Sequence, residues 1–180
     1  MRTPTAQHTA TAAGAALVGM AGPITVREVC IGRVVDLGVT DMNNMGAAMA
    51  PAAYDSLAAF FRDTETTPKD YDLVITGDLG ELGHSIVRDF FSRDGVDLGE
   101  NFQDCGLLLY DRQAQDMHAG ASGCGCSAAV LNGYVLPGLR AGKWRRVLFA
   151  PTGALLSPTT SFQGESVPGI CHAVCLSAEV

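Results

Sequence analysis

Apolar residues recur along this chain in two rhythms, which divide it into alternating extended and helical stretches. Residues 15–20 form a short apolar run closed by Gly22-Pro23 and read as a strand. Residues 24–35 mix β-branched and polar positions over a longer extended run, predicting one bent strand. Asp41-Met42-Asn43-Asn44 reads as a turn and helix entry. From there to residue 61, Met45, Met49, Ala53, Leu57 and Phe60-Phe61 recur every three to four positions, the pattern of an amphipathic helix. Pro51 falls inside that run, which moves the expected start toward Ala50, with Pro51 in the first turn. Residues 71–76 read as a short buried strand ended by Gly77-Asp78, and residues 86–91 as part of a helix stopped by Asp94-Gly95. The run 105–110 is apolar without a clear period; 126–140 is helical in pattern, kinked or shortened by Pro137 and Gly138. Residues 146–150 and 170–176 are the last two strands. The order β-β-α-β-α-α-β-β predicts an α/β fold, with helices packed on a largely parallel or mixed sheet. The strand at 15–20 stands apart, as the tail of an earlier element.

Composition fits that picture. Hydrophobic residues make up 47% of the 180 positions and charged residues 17%, enough for a real core and too apolar for a disordered chain. The net charge of −7 excludes a phosphate-neutralising surface. The one basic run, Arg140, Lys143, Arg145 and Arg146, reads as a solvated edge leading into a strand, so no nucleic-acid partner is expected. No stretch reaches the ~18 apolar residues of a membrane span. Threonines and His8 interrupt any signal-peptide core within residues 1–20, which therefore read as the lead-in to the first strand of a cytoplasmic protein. The six cysteines read as reduced. Cys171 and Cys175 lie four residues apart along an expected strand, about 13 Å, beyond the ~7 Å a bridge can span. Cys124 and Cys126 are separated by one glycine, an awkward span for a bridge.

Candidate chemistry concentrates at residues 116–129, where small residues fill a whole turn before a helix. A helix start offers unpartnered N–H groups and partial positive charge, so it receives a carboxylate without a Lys or Arg. Ser122 or Ser127 would add a hydroxyl. Tight helix-to-sheet packing with a serine cap accounts equally well for the same residues. Cys124 and Cys126 stand where a helix start lowers a thiol pKa, yet small buried cysteines that only pack are commoner, and no local base is evident beyond His118. The hydroxyl-rich stretch 152–166, with Ser157 and Thr159, reads as a ligand-facing loop between the final two strands or as a solvated connection. A zinc site from Cys105, Cys124, Cys126, Cys171, Cys175, His118 and His172 lacks structural Cys-x2-Cys spacing, so no metal is expected.

Six ordered segments together resemble the stage V sporulation protein AD family of the thiolase superfamily: residues 36–41, 49–53, 71–79, 104–108, 119–128 and 152–159. The match spans nearly the whole chain after its first dozen residues. It implies a thiolase-like fold of two halves, with this chain covering the C-terminal half (23–180), a mixed five-stranded sheet layered with helices. Residues 1–22 would then be the remnant of the N-terminal half, its last strand at 15–20. It also implies a spore protein that binds dipicolinic acid, alone or as its calcium salt, and works with other stage V sporulation A proteins. That complex is associated with the forespore or spore inner membrane and moves the ligand into the forespore; a homodimer is a further expectation. Condensing enzymes of the superfamily carry a histidine just after the strand matched by 73–76, where Gly77 and Asp78 stand here. Their asparagine-bearing turn matches 122–127, which has no Asn, and His84 occupies a helical position rather than that site. The nucleophilic cysteine belongs to the other half. The resemblance thus implies a non-catalytic binding protein without cofactor. Its expected ligand-binding set is Ser122, Gly123, Cys124, Cys126, Ser127, Ser157, Thr159 and Asp78. An acyltransferase or ketoacyl synthase of the same superfamily is the alternative.

Overall fold

In the computed structural model, which describes residues 3–178, the chain runs through β1 (His8–Thr9), β2 (Ile24–Cys30), α1 (Met45–Asp63), β3 (Leu73–Thr76), α2 (Gly80–Arg93) and β4 (Phe102–Asp104). It continues through α3 (Cys105–Leu108), β5 (Ala121–Ser122), α4 (Cys124–Val130), α5 (Leu136–Arg140) and β6 (Arg146–Ala150). The last elements are β7 (Thr152–Ala154), α6 (Pro158–Phe162), β8 (Gly169–Cys171) and β9 (Ala173–Ala178). The main sheet has five strands in the order β2-β9-β6-β3-β4. β4, β3 and β6 are parallel, and β9 and β2 are antiparallel to their neighbours, so the expected mixed five-stranded α/β architecture is met.

Strand alternation builds two cores. Leu73 and Ile75 of β3, with Val147 and Phe149 of β6, face Cys126, Val130, Val135, Leu139 and Trp144. Val74, Leu148 and Ala150 point the other way, against Leu57, Phe60, Val87 and Phe91 of α1 and α2. A strand covered on both faces must be apolar at every position, as β3 and β6 nearly are. Small residues let the two outer helices touch: a Cβ on Gly83 would lie 2.7 Å from Gly46 O.

Several expectations are corrected. Residues 15–20 form no strand; Leu17 and Met20 are fully exposed, and no neighbouring strand supplies their backbone with partners among the described residues. The N-terminal strand is instead β1, which pairs parallel with β5. The bent strand at 24–35 stops at Cys30, with a bulge between Val26 and Val29 and an isolated bridge from Val35 to Gly169. α1 starts at Met45, not near Ala50, because the Asn44 side chain accepts from Ala47 N and burial of residues 46–53 outweighs the loss of one hydrogen bond at Pro51. α2 contains the expected helical residues 86–91, ends before Asp94-Gly95 as expected, and begins at Gly80. β4 was not anticipated, and the run 105–110 is a single helical turn followed by coil. The helix expected at 126–140 runs from 124 to 140 without breaking. A π-type turn at Leu131–Val135, in which Leu136 N donates to Leu131 O, takes up the register change ahead of Pro137. The run 170–176 is two strands parted at His172, and the 152–166 stretch contains β7 and α6. All six cysteines are free. Residues 1–2 and 179–180, the outer ends of the expected units 1–22 and 23–180, lie outside the described residues.

Candidate functional site

The carboxyl ends of the parallel strands β3, β4 and β6 emerge on one edge of the sheet, the place where open α/β sheets hold ligands. Gly77-Asp78 follows β3, Asp104 ends β4 and Thr152 follows β6. A Cβ on Gly77 would lie 2.6 Å from Thr152 N and 3.0 Å from Ser127 Oγ, so only glycine lets these groups converge.

Two buried carboxylates organise the edge. Asp78 Oδ2 accepts from Gly123 N at 2.9 Å and Oδ1 from Thr152 Oγ1 at 3.2 Å, while Thr152 Oγ1 accepts from Asp78 N at 3.1 Å. Burial pushes the Asp78 pKa up, opposed by the bonds from Gly123 and Thr152. Asp104 is wholly buried. It accepts from Thr76 Oγ1 at 2.8 Å and from Leu79 N and Gly80 N at 3.0 and 3.1 Å, holding the entry of α2. Burial raises its pKa to about 7 against those three bonds, and the charge of Asp78 adds to the rise.

The N-terminal segment closes the edge from above. Gln7 Nε2 donates to Asp78 O at 2.8 Å and Ala121 O at 3.0 Å, and Ala10 N donates to Ser122 O at 2.8 Å. Ala12 lies so close over α4 that a Cβ on Gly125 would sit 2.1 Å from Ala12 O.

The structure thus brings Asp78, Gly123 and Ser127 together and adds Thr152. At the amide just ahead of the helix, Gly123 N, the carboxylate received is the chain's own Asp78. Ser122 is buried in β5. Cys126 is fully buried in the core, its amide donates to Gly123 O, and burial pushes its thiol up to about 12 rather than down. Cys124 is exposed. Ser157, half-buried, leads into α6 and Thr159 is exposed on it; among the described residues no contact joins either to Asp78. The sequence pattern did not single out Thr152 within the hydroxyl-rich stretch 152–166, nor name Asp104 or Gln7 as site residues. Thr152 carried a signal, as the first of the hydroxyls in its stretch; Asp104 and Gln7 carried none, since both act across long sequence separations.

This geometry predicts the order of thiol reactivity. Iodoacetamide at neutral pH will modify Cys124 first and Cys30, half-buried and pushed up by burial, slowly. Cys105, Cys126, Cys171 and Cys175, all buried and raised by burial, will react only on unfolding, as peptide mass spectrometry will show. Among the described residues, no group of three or more His, Cys, Asp or Glu side chains gathers to hold a metal. Nor is any helix among them long and apolar enough to cross a membrane.

The fold and edge define a mixed α/β domain whose strand-end carboxylates are engaged by its own backbone and hydroxyls. Residues 1–177 match the family model described as stage V sporulation protein AD, and the chain is 46% identical over 171 residues to stage V sporulation protein AD of Bacillus subtilis. The chain belongs to the stage V sporulation protein AD family. The match covers 94% of the chain and 50% of that relative, so the chain spans about half the relative's length. Among solved structures, it is similar to 3-oxoacyl-[acyl-carrier-protein] synthase III from Aquifex aeolicus, at 14% identity and TM-score 0.44 over 87% of this chain and 54% of that one. Another 3-oxoacyl-(acyl-carrier-protein) synthase III gives 15% identity and TM-score 0.46 over 88% and 51%. Likenesses this low say nothing about activity.

Proposed function

We propose that the chain is part of a sporulation protein that binds dipicolinic acid, as its calcium salt or alone, and performs no covalent chemistry. The observation that carries this reading is the state of the strand-end edge. Asp78 and Asp104 are both occupied as hydrogen-bond acceptors, and Cys105 and Cys126 beside them are held as thiols by burial, so that among the described residues of this edge neither thiol stands next to a free base. The proposed ligand-binding set is Ser122, Gly123, Cys124, Cys126, Ser127, Ser157, Thr159 and Asp78, of which Cys124 and Thr159 are exposed and Ser122, Cys126 and Asp78 are buried. A dianion beside the charge of Asp78 is poorly matched, whereas a calcium salt, with its metal offsetting the carboxylates, suits it.

The same reading takes the fold as thiolase-like, with residues 23–180 as a C-terminal half and residues 1–22 as the last part of the other. The bare side chains of Leu17, Val18 and Met20 support it, since such residues are normally covered in a complete protein. It also carries the proposals of work alongside other stage V sporulation A proteins at the spore inner membrane and of a homodimer.

Calorimetry tests it on the full-length parent and on this chain, with dipicolinate in the presence and absence of calcium. The parent is expected to bind and this chain to bind weakly or not at all. Tight binding of an unrelated monoanion, with none of dipicolinate, overturns it. Cys124, exposed at the helix start, favours acyl transfer as a second reading. A covalent adduct on Cys124 after incubation with acyl-CoA, seen by mass spectrometry, would establish that reading in place of the first.

A further inference from the structure

Charge is unevenly spread along the chain. Residues 117–164 contain four of the twelve Lys and Arg residues and none of the nineteen Asp and Glu, leaving eight cations against nineteen carboxylates elsewhere. The four cations are Arg140, Lys143, Arg145 and Arg146, at the turn between α5 and β6, the opposite end of β6 from the strand-end carboxylates.

The turn is rigid. Gly142, with φ of 70°, follows the end of α5; Gly142 N donates to Leu139 O at 3.1 Å and Lys143 N to Gly138 O at 2.9 Å, the pair of bonds that closes a helix with a left-handed residue. Trp144 packs so closely on the last turn that a Cβ on Gly138 would lie 2.2 Å from its ring. Asp72 Oδ2 accepts from both Arg145 N and Arg146 N, at 2.7 and 2.9 Å, so the backbone is pinned on both sides. The Lys143 ammonium stands 4.6 Å from the ring centre of Tyr134 and 4.5 Å from that of Trp144, and donates to Tyr134 Oη at 3.1 Å.

Not every cation is available. Arg146 turns inward, over the Tyr71 ring at 4.6 Å and toward Glu28 at 3.4 Å. Arg140, Lys143 and Arg145 are exposed, and among the described residues none of them has an ion pair. Arg140 complements the helix C-terminus, but Lys143 and Arg145 lie beyond it, where the helix dipole gives no reason for positive charge. Tyr134, 40% exposed, adds an aromatic face beside them.

We propose that this turn is a docking site for an acidic segment of a protein partner. Three exposed cations carried on a hydrogen-bonded turn, one of them held against Tyr134, form a basic surface that complements a segment rich in carboxylates. Lipid headgroups are the poorer fit. Cation clusters that hold anionic membranes usually number about four to eight, and this turn offers three.

The probe is a fluorescent decapeptide of alternating Glu and Ala, titrated with the whole chain and read by anisotropy at low and physiological salt. The expected result is saturable binding that Arg140→Glu with Arg145→Glu weakens about tenfold or more, while leaving the Lys143 stack in place. Tyr134→Ala is expected to weaken it about threefold at unchanged charge. Binding unchanged in the double variant overturns the proposal, as does binding lost there but untouched by Tyr134→Ala, which marks a diffuse ionic attraction. Binding to phosphatidylglycerol vesicles that the double variant abolishes, with no peptide binding, makes the turn a lipid contact. Sedimentation that shows self-association dependent on the same arginines, again without peptide binding, makes the partner a second copy; either result overturns the proposal.

Discussion

The chain will lose stability as the pH is raised from about 4 to about 7, and Asp104→Asn will remove most of that slope. Asp104 keeps its proton up to about pH 7 when folded, because burial and the neighbouring Asp78 oppose its charge. Unfolded, it releases that proton near 3.9. Between those values the folded state binds more protons than the unfolded one, so raising the pH favours unfolding. The stabilisation is fully present below the lower value and gone above the upper. Over that window the change is on the order of 4 kcal/mol for one carboxyl. Asp78, also raised by burial, pushes in the same direction, while His84, lowered from its ordinary 6.5 by burial, opposes both over the part of the window below that value. The share of Asp104 is therefore the difference between the wild-type and Asp104→Asn slopes.

The site accommodates either state. Thr76 Oγ1 lies 2.8 Å from Asp104 Oδ2 and 3.2 Å from Gln103 O, so its hydroxyl donates to the carboxylate or turns to Gln103 and accepts the acid proton. In Asp104→Asn the amide satisfies Thr76 but leaves Leu79 N without an acceptor, costing about 1–3 kcal/mol. Urea midpoints from pH 4.5 to 8 test both parts. A wild-type midpoint that rises across that interval would contradict the assignment, and so would a variant that keeps the wild-type slope.

What the sequence disclosed and what it hid differ in a physical way. β3 and β6 were legible because a strand covered on both faces must be apolar at each position, and α1 because its apolar residues recur at helical spacing. β4 was not: Phe-Gln-Asp is three residues long, and its pairing with β3 is a tertiary fact. The start of α2 was hidden for the same reason. Gly80 and Glu81 carry no local cap; the acceptor for Leu79 N and Gly80 N is Asp104, 25 and 24 residues downstream. Residues 15–20 misled in the opposite sense, since an apolar run becomes a strand only where another strand meets it. At 122–127 the sequence displayed a turn of small residues entering a helix. That its Gly123 amide is taken by Asp78, from 45 residues upstream, was not legible.

That internal anion sets the second large effect. Asp78→Ala is expected to destabilise the chain by about 2–4 kcal/mol, because two donors lose their acceptor at once in a nearly dry setting: Gly123 N at the entry of α4 and the Thr152 hydroxyl beside β7. Burial of Asp78 is costly in itself, which keeps the figure from being larger. Asp78→Asn separates the two contributions. Its amide oxygen still accepts from Gly123 N and its NH2 group donates to Thr152 Oγ1, so the loss should fall to about 1 kcal/mol. Chemical denaturation of the three proteins at pH 8 provides the comparison, and hydrogen exchange at Gly123 provides the local one. Protection of that amide should vanish in Asp78→Ala and survive in Asp78→Asn. If it survives in both, Asp78 is not the group that protects that amide, and the assigned role of Asp78 at the entry of α4 fails.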